Sequence, residues 1–240
     1  SNLVKIKTVN FSNGDRDHVV LSSNLQKIPT EETKIKNKFV NNLSLNNDLL
    51  IFLNTYGSIY GIDSKSMKIK WFLNINQSTD KSLSNLFDGS EVISIGKIVV
   101  VSSKTFTYII NVVDGSLIFR KNFSSALKPI INSSNLFIIS KNNLLLAVDV
   151  MNGNVIYSYD VNQKIADFIK SKKYKVNYRF MMLVNNKIFV YLKNSYILKF
   201  SIKGDLLEIV KLPTKLNSNP IIINNKILFV DIKNKLIAID

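Results

Sequence analysis

Few side chains in this 240-residue chain are of the types that perform acid–base, nucleophilic or metal chemistry. His18 is the only histidine and cysteine is absent, which excludes a multi-histidine metal site, a zinc–thiolate site and thiol catalysis. Eight scattered glycines do not form a phosphate-binding loop. We therefore expect no catalytic, cofactor-binding or metal-binding residues and a protein that is not an enzyme.

Carboxylates are the one group from which an ion site could be built. Asp15, Asp17 and Asp88 lie in irregular segments, but no loop alternates ligands as a calcium loop does. The other acidic residues fall mostly on turns, where a carboxylate accepts backbone N–H groups. An enzyme whose carboxylates come from separate segments stays open as an alternative.

Two long connections, residues 77–90 and 162–177, carry apolar and aromatic side chains among polar ones. Such residues on loops are typical of a partner-binding surface, and nearby lysines accelerate encounter. The alternative is that these side chains pack onto the fold. Ile165 and Ile169 also predict a short helix in the second connection. The partner-binding candidates are Leu86, Phe87, Phe168, Lys170, Lys172, Lys173 and Tyr174.

The net charge of +15 and the pI near 9.8 raise the question of a nucleic-acid or membrane-surface partner. Arg16, Arg120 and Arg179 are the only arginines, and arginine is the residue best suited to bidentate phosphate recognition. The lysines are spread along the chain, many of them beside turns. We expect a solvated basic surface and no specific nucleic-acid site, with a polyanion-binding module as the alternative.

The elements that hold these residues follow from a distance of thirteen residues that recurs five times. It separates the first large apolar residue of one hydrophobic run from a polar residue that ends the next run. A repeat of this size indicates units that bury their apolar faces against one another. The pairs are Leu50 and Asp63, Ile98 and Asn111, Leu136 and Asp149, Ile188 and Ser201, and Ile227 and Asp240.

Each unit consists of short runs rich in Val, Ile, Phe and Tyr between clusters of Asn, Gly and Ser, which is typical of strands and tight turns. Four antiparallel strands per unit predict an all-β protein, a β-propeller with five recognisable blades in a single domain, residues 1–240. Residues 3–9 are expected to complete and close the last blade. We expect 10–42 to be irregular or a degenerate extra blade. The blades are predicted near 43–76, 91–124, 128–161, 178–212 and 220–240.

The segment around Ala147, Asp149, Gly153 and Tyr157 resembles the quinoprotein-type (PQQ-like) propeller repeat, which has the pattern Ala-x-Asp-x-x-Thr-Gly-x-x-x-Trp. The resemblance covers about residues 43–240. It implies that the Asp or Asn accepts turn N–H groups, the Gly provides positive φ, and the bulky residue packs on the adjacent blade. Matching positions elsewhere are Asp63, Trp71, Asn111, Gly115, Phe119, Ser201 and Asp240.

The resemblance implies one of two functions. Proteins with this repeat include quinone-dependent dehydrogenases, which are usually much longer, and non-catalytic scaffolds of outer-membrane β-barrel assembly. The scaffold reading is favoured, and it implies a monomer in the periplasm that binds a β-barrel assembly subunit. It further implies an outer-membrane anchor through a removed N-terminal lipoprotein segment. The alternative is a quinone- or ligand-binding enzyme.

Overall fold

Short runs of β-branched and aromatic residues form the strands of this protein, as their preference for a pleated, half-buried surface requires. The computed structural model describes residues 6–10, 17–21, 26–27, 43–54, 57–76, 91–170, 176–223 and 226–239. Within these ranges the chain contains 22 strands and one helix, so the predicted all-β class is confirmed. The chain divides into two compact units, Ser1–Ser124 and Ser125–Asp240.

A small antiparallel sheet lies within residues 10–42 and the strand before them. Its strands are β1 (Ile6–Asn10), β2 (Asp17–Leu21) and β3 (Gln26–Lys27), and β1 pairs with β2 from Ile6–Leu21 to Asn10–Asp17. Most of residues 10–42 lie outside the described residues, so the expectation of an irregular segment or a degenerate extra blade stays a prediction. A pairing of residues 3–9 with the last blade is not found among the described residues, and it stays a prediction.

The first unit also contains two four-stranded antiparallel sheets, which we term blades 1 and 2. In each, the strands pair in chain order. Blade 1 contains β4 (Leu43–Asn46), β5 (Leu49–Leu53), β6 (Ser58–Asp63) and β7 (Ile69–Asn74). Blade 2 contains β8 (Ile93–Ile95), β9 (Ile98–Ser102), β10 (Thr107–Asn111) and β11 (Leu117–Lys121).

The second unit contains blades 3, 4 and 5, of which the last has three described strands. Blade 3 contains β12 (Ile130–Asn132), β13 (Asn135–Ile139), β14 (Leu144–Asp149) and β15 (Val155–Asp160), and the helix α1 (Val161–Phe168) follows it directly. Blade 4 contains β16 (Tyr178–Val184), β17 (Lys187–Leu192), β18 (Tyr196–Ser201) and β19 (Leu206–Lys211). Blade 5 contains β20 (Ile221–Ile223), β21 (Lys226–Val230) and β22 (Leu236–Ile239).

The second and third strands of blades 1 to 4 form the core, because most residues on both of their faces are buried. In β9 all five residues are buried, and in β6 the first five of six are buried. Strands covered on both faces are hydrophobic at successive positions, which explains the continuous apolar runs in the sequence. The fourth strands are covered on one side only, so β15 alternates between exposed and partly covered residues along most of its length.

The turns between first and second strands contain the small polar residues that the sequence analysis associated with positive φ. Asn47 has φ 52°, Ser133 has φ 55° and Gly96 has φ 55°. In blade 4 both turn residues, Asn185 and Asn186, have positive φ. Asn and Gly tolerate this left-handed conformation, which matches the twist of two strands joined by a tight turn.

Candidate functional site

The turn after the third strand of blade 1 is organised by the carboxylate of Asp63. Its Oδ1 accepts the backbone N–H groups of Lys65 at 3.1 Å and Ser66 at 2.8 Å, and its Oδ2 lies 2.9 Å from Nζ of Lys70. The Ser66 N–H, the Lys70 ammonium and the Ser66 hydroxyl together hold the pKa of Asp63 well below its usual range. The carboxylate thus bonds to the turn and to the start of β7, which is the arrangement expected of a structural turn residue.

The equivalent turns of blades 2 and 3 use the same geometry. Oδ1 of Asn111 accepts the N–H of Val113 at 2.9 Å, and Oδ1 of Asp149 accepts the N–H of Met151 at 2.8 Å. Positive φ follows at the repeat's glycine place, which in blade 1 is a methionine. The values are 56° at Met67, 72° at Gly115 and 73° at Gly153.

Blade 4 has a shorter version of this turn, because its glycine is displaced by one residue. The N–H of Ser201 donates to the carbonyl of Asp205, four residues on, whereas the N–H of Asp63 donates to the carbonyl of Lys68, five residues on. Gly204 has φ 87° and donates its N–H to the Ser201 carbonyl at 3.0 Å. The shifted glycine in the sequence is therefore a one-residue deletion that keeps the turn intact.

The bulky residue of blade 1 packs across to blade 2. Trp71 is buried, and its indole Nε1 donates to the carbonyl of Val112 at 2.8 Å. The ring lies so close to Gly115 that an added Cβ there would be 2.6 Å from Cδ2 of Trp71. Tyr157 has the same position toward blade 4, where a Cβ on Gly204 would be 2.8 Å from its Cε2. These contacts link neighbouring blades within each unit.

One extra residue in the fourth strand directly precedes the bulky side chain in blades 1, 2 and 3, and sequence analysis did not predict it. In blade 1, Ile62 pairs with Ile69 and Gly61 pairs with Trp71, which leaves Lys70 without an opposite residue. Such a β-bulge bends the strand and changes the direction of the next side chain. The same shift recurs in the other four-stranded blades of the repeat, at Ile118, Ile156 and Leu207.

A second family of turns, also not predicted, follows the second strands. In blades 1, 3 and 5 a buried polar residue ends or directly follows the strand, and its side chain accepts the N–H of the residue four positions later. A buried acceptor needs such a partner. The pairs are Asn54–Ser58 at 2.8 Å, Ser140–Leu144 at 3.1 Å and Asp231–Lys235 at 2.9 Å. Their spacing from the start of each thirteen-residue unit was a usable signal.

The predicted helix in the second long connection is confirmed as α1. Oδ1 of its N-cap residue Asp160 accepts the N–H of Asn162 at 2.8 Å, which satisfies a donor that the first turn leaves unpaired. Val161, Ile165 and Ala166 are buried, and the first two belong to the core cluster between blades 3 and 4. The helix is therefore fixed to the second unit.

The C-terminal end of α1 has a different character. Phe168 is 48% exposed and Ile169 is 45% exposed, and Lys170 follows them with φ 53°. An exposed pair of large apolar side chains on an anchored helix is a suitable contact surface for a protein. Of the seven partner-binding candidates, Phe168 and Lys170 lie in the described part of the chain, two residues apart at the end of α1. Leu86, Phe87, Lys172, Lys173 and Tyr174, and the turn residue Asp240, lie outside the described residues.

The described residues contain no group of three or more His, Cys, Asp or Glu side chains placed to hold a metal ion. Nor does any helix in the described ranges form a span that is long and apolar enough to cross a bilayer. His18 lies in β2.

Comparison with solved structures identifies the fold. BamB from Moraxella catarrhalis superposes on 94% of this chain with a TM-score of 0.64 and 14% identity, and the chain covers 66% of it, just under two thirds of that length. Quinohemoprotein alcohol dehydrogenase from Comamonas testosteroni superposes on 80% of the chain with a TM-score of 0.58 and 10% identity, and the chain covers 40% of it.

Searches against family models and against curated proteins return no match. At 14% and 10% identity, the structural likeness establishes the fold alone. Together with the four-stranded antiparallel blades, their repeated turns and the Trp71 contact, it shows that this chain has a β-propeller fold similar to that of BamB.

Proposed function

We propose that this protein is a non-catalytic scaffold for protein–protein interaction, of the BamB kind, that acts in the assembly of outer-membrane β-barrel proteins in a periplasm. The fold likeness to BamB supports the class of function. The observation that carries the proposal is the exposed pair Phe168 and Ile169 at the end of an anchored insertion helix. Its natural partner is a subunit of the β-barrel assembly machinery.

The physical reasoning concerns the cost of binding. Hot spots of protein interfaces are large apolar or aromatic side chains that need little ordering when the partner arrives. Val161, Ile165 and Ala166 already hold α1 against the propeller, so Phe168 is presented from a preformed element. Lys170 beside it adds a positive charge that steers an acidic surface toward the contact.

The test is affinity purification of the tagged protein from its native envelope, followed by mass spectrometry. We expect recovery of an outer-membrane β-barrel assembly component and, because truncated hot spots cost about 2 kcal/mol or more, at least about tenfold less from the double variant Phe168→Asp and Ile169→Asp. Met151→Asp is the matched control, since Met151 is an exposed apolar residue on a turn of blade 3. If the parent protein, the double variant and Met151→Asp recover equal amounts of the component, this surface is not where the component binds.

A quinone-dependent enzyme is the second candidate, because a quinohemoprotein alcohol dehydrogenase has the same fold over 80% of the chain. The same purification separates the two. An extractable quinone or a metal retained on the purified protein, with no assembly component recovered, would favour the enzyme over the scaffold.

A further inference from the structure

The second unit is strongly basic, and its loops lie at two opposite ends of the blades. Residues 125–240 contain 17 Lys and Arg against 7 Asp and Glu, a net charge of +10, so they contribute most of the +15 of the chain. In antiparallel blades, the turn between second and third strands and the connection to the next blade lie at one end. Turns between first and second and between third and fourth strands lie at the other.

Three segments of blades 4 and 5 form the first of these ends, which we term the basic loop end: the turn 193–195, the connection 212–220 and the turn 231–235. They are joined by hydrogen bonds. The N–H of Leu212 donates to the Ser195 carbonyl at 2.7 Å, and the N–H of Ile232 donates to the Lys215 carbonyl at 3.1 Å. Nδ2 of Asn217 donates to Oδ1 of Asn234 at 3.1 Å. The three segments are thus one continuous surface.

Four exposed lysines cover this surface: Lys193, Lys215, Lys233 and Lys235. None of them forms an ion pair with an acidic residue in the described part of the chain. The only acidic residue of the three segments is Asp231, which is buried and accepts the N–H of Lys233 at 2.8 Å. Arg179 adds a further positive charge, because its guanidinium donates to the Asn217 carbonyl at 2.6 Å.

Two large aliphatic side chains lie among these lysines. Ile232 is 57% exposed and Leu236, directly after the turn, is 72% exposed. A nucleic-acid surface would instead present aromatic side chains for stacking and arginines for phosphate. The three segments contain no aromatic residue, and the one arginine beside them is already hydrogen-bonded. Lysines around apolar side chains match a protein segment with acidic and apolar residues.

We propose that the basic loop end of blades 4 and 5 is a second docking surface, which binds an acidic protein segment that contacts Ile232 and Leu236 with apolar side chains. The surface lies at the same end of the second unit as the connection that contains α1, but it does not include Phe168 or Ile169, and the proposal does not depend on a β-barrel assembly partner. The lysines supply long-range attraction and the aliphatic pair supplies the contact that excludes water.

The test measures fluorescence anisotropy of a labelled peptide of alternating Glu and Leu with the full chain. We expect binding that weakens from low salt to roughly physiological salt, because screening shortens the reach of the lysine charges. The variant K215E/K233E should bind about fivefold or more weakly, whereas K187E/K203E should change binding less than about twofold. Lys187 and Lys203 are exposed lysines at the opposite end of blade 4, so both variants change the net charge equally.

Three further measurements make the outcome decisive. Ile232→Ser should weaken peptide binding more than Ile202→Ser, an exposed isoleucine on the opposite turn of blade 4. Thermal unfolding of each variant identifies any that fails to fold, and K215Q/K233Q then replaces the charge reversal. Equal weakening by both lysine variants, or no peptide binding, would overturn the proposal.

The two other classes of macromolecule are outcomes of the same test. The chain could bind oligo(dT), or vesicles that contain an anionic phospholipid, more tightly than it binds the Glu–Leu peptide. Either result would overturn the proposal of a protein partner. If the peptide binds as expected but envelope purification recovers no assembly component, the function proposed above fails and this docking surface stands. If the purification recovers that component but the chain does not bind the peptide, the function proposed above stands and this docking surface fails.

Discussion

At the scale of single residues, the contact between blades 1 and 2 depends on the lack of a side chain at two glycines as much as on the ring of Trp71. The ring of Trp71 lies in space that Gly61 and Gly115 leave open, and an added Cβ at Gly61 would be 2.7 Å from its Cδ2. Gly115 also has φ 72°, which a residue with a Cβ adopts only with strain. Steric and conformational reasons for glycine therefore coincide at this position.

Gly96 allows the two reasons to be separated. It has φ 55° but nothing within 4 Å of a built Cβ, so Gly96→Ala measures the conformational cost alone. We expect Gly115→Ala to lower the free energy of unfolding by about 1–3 kcal/mol more than Gly96→Ala, because the added methyl group overpacks the indole. Trp71 is the only tryptophan, so its fluorescence during urea unfolding reports this contact directly. Equal losses in the two variants would show that the ring moves without cost.

At the scale of elements, α1 combines an anchored face with an exposed end. Ile165 is 1% exposed in the core between blades 3 and 4, where it lies in one cluster with Leu145 and Val176. Two residues after Ala166 the chain leaves this core, and Phe168 contacts solvent with about half of its surface. A helix with this division can present an apolar residue without itself having to fold on binding.

Two truncations test that division. Ile165→Ala should lower the free energy of unfolding by about 2–4 kcal/mol, because it removes buried methyl groups and leaves a cavity. Phe168→Ala should lower it by clearly less than Ile165→Ala, because about half of the Phe168 surface is already in contact with solvent. Thermal unfolding followed by circular dichroism measures both. A loss at Phe168 as large as that at Ile165 would mean that the phenyl ring supports the fold and is not available to a partner.

At the scale of the whole molecule, three buried tyrosine hydroxyl groups in the second unit affect how stability depends on pH. The hydroxyl oxygens of Tyr157, Tyr178 and Tyr191 are buried and have no hydrogen-bond partner among the described residues. Burial raises the pKa of all three tyrosines above the ordinary value of 10.0, with a further contribution from Asp160 at Tyr178. Their neutral forms are thus part of the folded state.

This burial predicts a loss of stability in alkali. Below about pH 10 these tyrosines are neutral in both states and stability is retained, whereas above it the unfolded chain releases their protons first. The free energy of unfolding should therefore fall as the pH rises above about 10, by up to about 1.4 kcal/mol per pH unit for each tyrosine.

Tyr191→Phe isolates one group, because its side chain is fully buried and every other ionisable group is common to both proteins. Urea unfolding at each pH should show a smaller alkaline loss in this variant than in the parent protein. Identical pH slopes would mean that the Tyr191 hydroxyl reaches water in the folded state.

The repeat explains why much of the fold was predictable and why the site was less so. Asp63, Asn111 and Asp149 accept turn N–H groups because the bond is local, within a few residues of the chain. The bulge at Lys70 and the buried acceptor Asp231 did not follow from composition, because each depends on strand register and on what covers the residue. The sequence of the second connection likewise did not indicate which of its apolar residues would face solvent.

The amino-acid sequence by itself determined the antiparallel strands, their turns and the likeness to PQQ-type repeats, since hydrophobic period and turn chemistry are local properties. It also excluded thiol chemistry and multi-histidine metal sites, since the residues are missing. Only the tertiary structure decided that α1 buries Ile165 and exposes Phe168, and that Lys215, Ile232 and Lys233 share one surface. Such surfaces join residues that are distant in the chain, and their composition becomes defined when the blades pack.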